Sequence, residues 1–260
     1  MPVMPIEITT PQTTPAPYNL LDTISAERLP EHGGMAGVTY ETDFCGVARA
    51  WVNPCADPGV LEKVADDGIN YTDGEPIPLY HLSSCRLVGS EDREARALRA
   101  LDLGASRALE TGFASVIGAA ATNITGGTAH TVRVALARLE QFAGENYGGR
   151  PVIHMTRHMA TLAASVSLIR IVGDHLETYL GSLVIAGAGY ADAQQPVAPV
   201  AGSNWMYATG EVHVWEGQTL TTPVVLNQPY DNEYYVLAER VYVPTFECFA
   251  AAVETSLEIA

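Results

Sequence analysis

One lysine, Lys63, serves a chain of 260 residues, and arginine supplies the rest of its 14 basic side chains. Against 30 Asp and Glu, these leave a formal net charge of −16. A protein that grips phosphates by counterion release needs a basic patch. The charge balance therefore argues against sequence-specific DNA or RNA recognition, and against anionic membranes for the same reason. Charge of either sign is scarce, 17% of residues against 47% hydrophobic. So low a charged share leaves surface that need not face water, which large subunit interfaces use. No segment reaches the roughly 18 apolar residues of a membrane span. Met1 to Thr14 has neither the cationic start nor the apolar core of a secretory signal. The expectation is a soluble chain made in a cytoplasm. Cysteine is also sparse: Cys45, Cys55, Cys85 and Cys248 are too few for a disulfide scaffold at this length. The first three lack Cys-x-x-Cys spacing, so buried thiols are the default, with a disulfide formed after release from the cell left open.

Catalytic signatures are missing as well. His154 and His158 stand four apart, but Met155 occupies the place where zinc proteases put their general base. The pair straddles an expected strand-to-helix junction, so the rings need not share a face, and structural histidines are the better reading. Gly187-Ala188-Gly189 follows an expected strand but lacks the third glycine and the acid-bearing helix of a dinucleotide loop. It reads as a plain loop. There is no Gly-x-Ser-x-Gly elbow and no phosphate loop. Asn123-Ile124-Thr125 formally matches a glycosylation acceptor without any sign of secretion. The acidic residues are scattered, with no acid/base couple standing out. The sequence offers no catalytic residue, no cofactor-binding residue, no metal ligand and no cofactor.

What is present is an organisation. Six prolines, at positions 2, 5, 11, 15, 17 and 30, make the first thirty residues an extended arm that gains order only by lying on something else. Residues 34–88 mix short β runs, Gly37 to Tyr40 and Ala48 to Val52, with Asn-Pro, Asp-Pro-Gly and Asp-Gly turns, as a long hairpin or extended loop would. Residues 90–117 read as a long helix. Ser90 caps it, Glu91 and Asp92 complement the dipole, and Leu98, Leu101, Ala105, Ala108, Leu109 and Val116 recur at helical spacing. At 1.5 Å per residue it spans about 40 Å. A second helix follows at 129–143, a buried strand at Pro151 to Met155, a short helix at Met159 to Ser167 and a strand at Leu183 to Gly187. Three β runs close the chain, at Asn204 to Ala208, Glu211 to Trp215 and Tyr234 to Ala252. This is an α+β plan, not a repeating βα one, and it has no internal repeat.

Four stretches carry a family resemblance. They are Gly37-Val38-Thr39-Tyr40-Glu41 with Cys45 and Pro54-Cys55 behind it; Leu79-Tyr80 through Cys85, running into the long helix; Pro151-Val152-Ile153-His154-Met155 with a short helix and then Gly181 to Ile185; and Tyr235 to Arg240 followed by Phe246 to Val253. In these the chain resembles the Hong Kong-type major capsid proteins of tailed bacteriophages, in particular those of actinobacteriophages. The resemblance implies an N-terminal arm (1–33), an extended loop (34–85), a peripheral domain with a long spine helix (86–128 and 208–240) and an axial domain (129–207 and 241–260). It implies a non-enzymatic structural protein that self-assembles through hexamers and pentamers into an icosahedral head shell. Such a shell encloses packaged double-stranded DNA without sequence specificity. Implied partners are portal, scaffolding and decoration proteins, and the implied location is the virion, after assembly in the bacterial cytoplasm. With only a short arm before the loop, a separate scaffolding protein, or none, is expected. Some relatives form Lys–Asn crosslinks. Lys63 with Asn227 or Asn232 is the matching set, though a lone loop lysine is usually a solvated charge. Alternatives are an encapsulin-like nanocompartment shell, a minor head or decoration protein, and a metal-dependent hydrolase using His154 and His158. Arg86, Arg93, Arg96, Arg99 and Arg107 lie in or beside the long helix. Their expected partners are Asp57, Glu62, Asp66 or Asp67 of a neighbouring loop, or local acids such as Asp92.

Overall fold

The computed structural model describes residues 13–30, 34–42, 45, 70–86, 93–194, 196–228 and 231–258. The expected strand at Ala48 to Val52, the cap at Ser90 to Asp92, Cys55, Lys63 and the loop acids Asp57, Glu62, Asp66 and Asp67 lie outside the described residues.

In chain order the elements are α1 (Leu20–Thr23), β1 (Glu27–Arg28), β2 (Val38–Thr42), β3 (Asn70–Gly74), β4 (Ile77–Arg86), α2 (Arg93–Ala120) and β5 (Thr122–Asn123). Then come α3 (Val132–Asn146), β6 (Val152–Thr156), α4 (Arg157–Ser165), β7 (Ile169–Val172), β8 (His175–Thr178) and β9 (Leu183–Gly187). A short 3-10 turn (Gly189–Asp192) precedes β10 (Ser203–Thr209), β11 (Val212–Glu216), β12 (Leu220–Gln228), β13 (Asp231–Phe246) and β14 (Ala250–Ser256).

Two sheets organise these elements. The first has the order β1-β11-β13-β12, with β4 also paired to β13. Strand β13, 16 residues long, is its spine, and β2 and β3 form a separate hairpin. The second sheet runs β5-β14-β10-β6-β9-β8-β7. Its central strands are covered on both faces, and every residue of β6 and β10 is buried. Side chains nevertheless alternate across the pleat. Val152, Ile185, Trp205, Tyr207, Ala250 and Ala252 face α2. Ile153, Met155, Val184, Ala186, Met206, Ala208, Ala251 and Val253 face α3 and α4.

Helix α2 has 28 residues and so runs about 42 Å. It buries Ala97, Leu101, Ala105, Leu109, Phe113 and Ile117, an unbroken i, i+4 stripe. Of the positions expected to form that stripe, Ala108 is exposed, while Leu98 and Val116 are half-buried at its margin. The same stripe packs on Leu79, Val212, Val214, Val236, Ala238 and Tyr242 of the first sheet, so one apolar cluster passes from sheet to sheet beneath the helix.

Several expectations are corrected. The arm does not depend wholly on an outside surface for order: Leu20 is fully buried against α2, Asn19 caps α1 by accepting from the Asp22 N–H, and β1 pairs parallel with β11. A single large apolar side chain and a capped turn supply what the prolines withhold. Strand β4, in the stretch read as a long hairpin or extended loop, pairs with β13 in the first sheet, with Leu79 turned into the core and Tyr80 out of it. The closing β run is not continuous either, since β13 ends at Phe246 and β14 begins at Ala250 in the other sheet. The hairpin β7–β8 and strand β12 were not anticipated.

Candidate functional site: a buried junction and the outward faces

Glu110 projects from the buried side of α2 and is 1% exposed. Its carboxylate accepts the Leu20 N–H at 3.1 Å through Oε1 and the Gly189 N–H at 2.8 Å through Oε2. One side chain thus ties the N-terminal segment, the spine helix and the second sheet together. Burial pushes its carboxyl above the usual range, while the Gly189 and Leu20 N–H groups and the nearby Arg157 charge pull it back. The Gly-Ala-Gly read as a plain loop owes its composition to this contact. A Cβ on Gly187 would collide with the Glu110 carboxylate. A Cβ on Gly189 would stand 2.6 Å from the Thr111 backbone N and closer still to the Arg107 carbonyl. The glycines permit a helix–sheet approach rather than a nucleotide.

His154 and His158 are separated in role. His154 is fully buried on β6, with Nδ1 2.9 Å from the Tyr190 hydroxyl and Nε2 3.0 Å from Thr209 Oγ1, and the Phe113 ring meets it edge-on. Both ring nitrogens are committed. His158 is exposed on α4, so the structure does not bring the two together as ligands.

Burial pulls the His154 pKa down to about 3, below an unfolded value of about 6.5. Between those values the unfolded chain binds a proton that the folded chain refuses, so stability present above about pH 6.5 is lost as pH falls, by about 1.4 kcal/mol per unit. Glu110 has the opposite sign: its raised pKa means protonation on acidification favours the folded state. Denaturant unfolding of wild type and His154→Gln from pH 7.5 to 4.5 separates the two. Their stability difference is expected to shift by about 3 kcal/mol in favour of the variant at the acid end. A constant difference would show that His154 does not stay neutral.

The cysteine expectation is partly overturned, because Cys45 is not a thiol but is disulfide-bonded to Cys248. Neighbouring residues in sequence gave no signal for a bond across 203 positions. Among the arginines, Arg107 pairs within its own chain with Asp192 at 3.5 Å. Asp102 of α2 takes Arg240 of β13 at 3.1 Å, a pair sequence spacing could not suggest. Asn227 and Asn232 stand opposite each other in the β12–β13 register.

The first sheet is covered by α2 on one face and, at its Trp215, Val243 and Thr245 end, by the β2–β3 hairpin on the other. On its other face Tyr80 and Leu220 flank Glu239 in register across three strands, and Leu82 stands beside Leu237. Tyr80, Leu82 and Leu220 are 73%, 49% and 55% exposed, an apolar strip left uncovered among the described residues. A second exposed apolar group, Ile171, Tyr179 and Leu180, marks the β7–β8 end of the second sheet. Strand alternation was the available signal for both, had β4, β7 and β8 been assigned.

This architecture, two sheets bridged by a long helix with an arm and a β2–β3 hairpin, is the Hong Kong-type capsid fold that the sequence resemblance implied. Among solved structures, the capsid of an empty GTA particle superposes with a TM-score of 0.57 at 11% identity, over 98% of this chain and 95% of that one. The holo-SrpI encapsulin complex from Synechococcus elongatus PCC 7942 gives 0.56 at 11% identity, over 98% and 94%. A chain from Mycobacterium phage Che8 gives 0.52 at 13% identity, over 97% and 96%. At such identities the likeness is one of fold. No protein-family model matches the sequence, and no curated protein matches it.

Proposed function

We propose that this chain is the major capsid protein of a tailed bacteriophage, a structural subunit whose copies close an icosahedral shell around double-stranded DNA. The observation that carries the reading is the end-to-end likeness to a GTA particle capsid, which takes in 98% of the chain and so leaves no separate domain to account for. The first sheet with the N-terminal part of α2 serves as the peripheral domain. Its second boundary falls at Phe246, where β13 ends. The second sheet with α3 and α4 serves as the axial domain. The outward strip of Tyr80, Leu82 and Leu220 seats a neighbouring copy, since contacts of this kind contribute roughly 25 cal/mol per Å² of apolar area before association costs. A net charge of −16 suits a shell that lies around DNA without gripping it. Assembly takes place in the host cytoplasm and the product is the virion head, with portal and decoration proteins as further partners.

The second reading, an encapsulin-type nanocompartment, is favoured by the comparable likeness to the Synechococcus complex. Negative-stain microscopy of the purified full-length protein separates the two. Large shells of many subunits are expected, small uniform cages would favour the nanocompartment, and monomers that never assemble would sink both.

A further inference from the structure

The chain passes between its two sheets twice in the C-terminal half. Gly210 and Glu211 lead from β10 to β11, and Glu247 to Phe249 lead from β13 to β14. The crossings run side by side, joined by Glu247 N–H to the Glu211 carbonyl at 2.9 Å and Gly210 N–H to the Phe249 carbonyl at 3.3 Å. Three side chains converge there. Glu211, immediately before β11, and His213 on β11 are two residues apart in extended backbone and so share a face. The β11–β13 register, with His213 opposite Thr245, brings Glu247 alongside. Their ligand atoms all lie within 4.8 Å of one another.

From this geometry we infer that Glu211, His213 and Glu247 form a binding site for a divalent cation of the zinc class, clamping the two crossings together.

The His213 Nε2 and Glu247 Oε1 atoms are 3.3 Å apart. Two ligands each about 2.0–2.1 Å from a tetrahedral zinc ion are separated by about 3.3–3.4 Å, so these atoms already stand at the edge length of that polyhedron. Glu211 is exposed and can swing the short remaining distance. An imidazole with two carboxylates suits zinc and its neighbours better than calcium or magnesium, which prefer all-oxygen sets. Three protein ligands leave a fourth position for water. The site brings two carboxylates together: among the described residues neither Glu211 nor Glu247 has a lysine or arginine ion pair, and the Glu247 carboxylate meets the His213 imidazole at 3.3 Å. A divalent ion would neutralise the two carboxylates and replace the His213–Glu247 hydrogen bond with two coordinate bonds. It would tie β11 to the end of β13 one residue from the disulfide-bonded Cys248. The clamp does not depend on the shell reading; it would act in an isolated subunit.

The test is calorimetric titration of Zn²⁺ into the full-length protein, free or assembled, with intact disulfide. One ion per chain is expected. Affinity should fall at least about tenfold in His213→Ala and in Glu247→Gln. It should be unchanged in His175→Ala, which removes the other histidine flanked by carboxylates, Asp174 and Glu177. Glu211→Gln, on an exposed side chain, gives an independent reading should either of the first two variants misfold. Absence of a stoichiometric site in wild type, or its survival in folded His213→Ala, overturns the assignment. So does displacement of Zn²⁺ by equal Ca²⁺, which would mark a carboxylate-only site.

Discussion

Gly189→Val is expected to leave almost no soluble, folded subunit, with a loss above about 4 kcal/mol. Any side chain at this position meets the backbone of α2 at Arg107 and Thr111, and Glu110 Cβ as well. Backbone cannot rotate aside as a flexible side chain does, so the helix must move off the sheet. That movement also pulls the Glu110 carboxylate away from the Gly189 and Leu20 N–H groups, and each buried donor left unpaired costs about 1–3 kcal/mol. Gly104→Ala, in the same helix, is the control. Nothing lies within 4 Å of a Cβ placed there, and alanine is favoured over glycine in a helix by about 1 kcal/mol. A melting point that rises for Gly104→Ala and a chain that fails to fold for Gly189→Val is the expected pair of results. Normal folding of the valine variant would mean that the close approach of α2 to the 3-10 turn is wrong.

Cys248→Ser is expected to cost about 4 kcal/mol under non-reducing conditions. The bond to Cys45 closes a loop of 203 positions. Chain-entropy reasoning assigns about 5 kcal/mol to so long a loop, and native bonds typically deliver roughly 2–5. Reduction of the wild type should bring its unfolding midpoint down to that of the variant, while the variant itself should not respond to thiol. Coincident melts of oxidised wild type and Cys248→Ser would refute the pairing. In protein produced in a bacterial cytosol, which keeps thiols reduced, the same bond should be absent in freshly lysed, alkylated material and appear on oxidation.

Some of this structure was legible because one kind of residue dominated a long stretch. The i, i+4 apolar spacing marked α2 to within a turn, and the apolar runs at Pro151 to Met155, read as a buried strand, and Leu183 to Gly187, read as a strand, reflect β6 and β9 being buried almost throughout. Periodicity could not separate β13 from β14, since Phe246 to Ala250 carries no proline or glycine and the break lies in a change of sheet. The hairpin β7–β8 was overlooked although its signal was present: Gly173, with φ 64, and Asp174 make a two-residue turn between the paired Val172 and His175. Junction residues were hidden for a different reason. Glu110 meets partners 79 and 90 positions away, and Glu247 meets His213 34 positions away. Only the three-dimensional register joins them. Glycine was the one hint: Gly187 and Gly189 marked a close approach, but not what approached.

The apolar cluster that runs beneath α2 has a consequence for how the molecule comes apart. Leu109, Phe113 and Ile117 pack in the same cluster as Val212 and Val236 of one sheet and Trp205 and Tyr207 of the other. Neither sheet has a closed core on that side without the helix, and the helix stripe is covered by the two sheets and by Leu20 of α1. The two sheets are then not separate thermodynamic entities, whatever places the shell proposed above gives them. Heating should give one calorimetric transition whose van't Hoff and calorimetric enthalpies agree, and amide exchange should reach the same maximal protection in β10 and in β13.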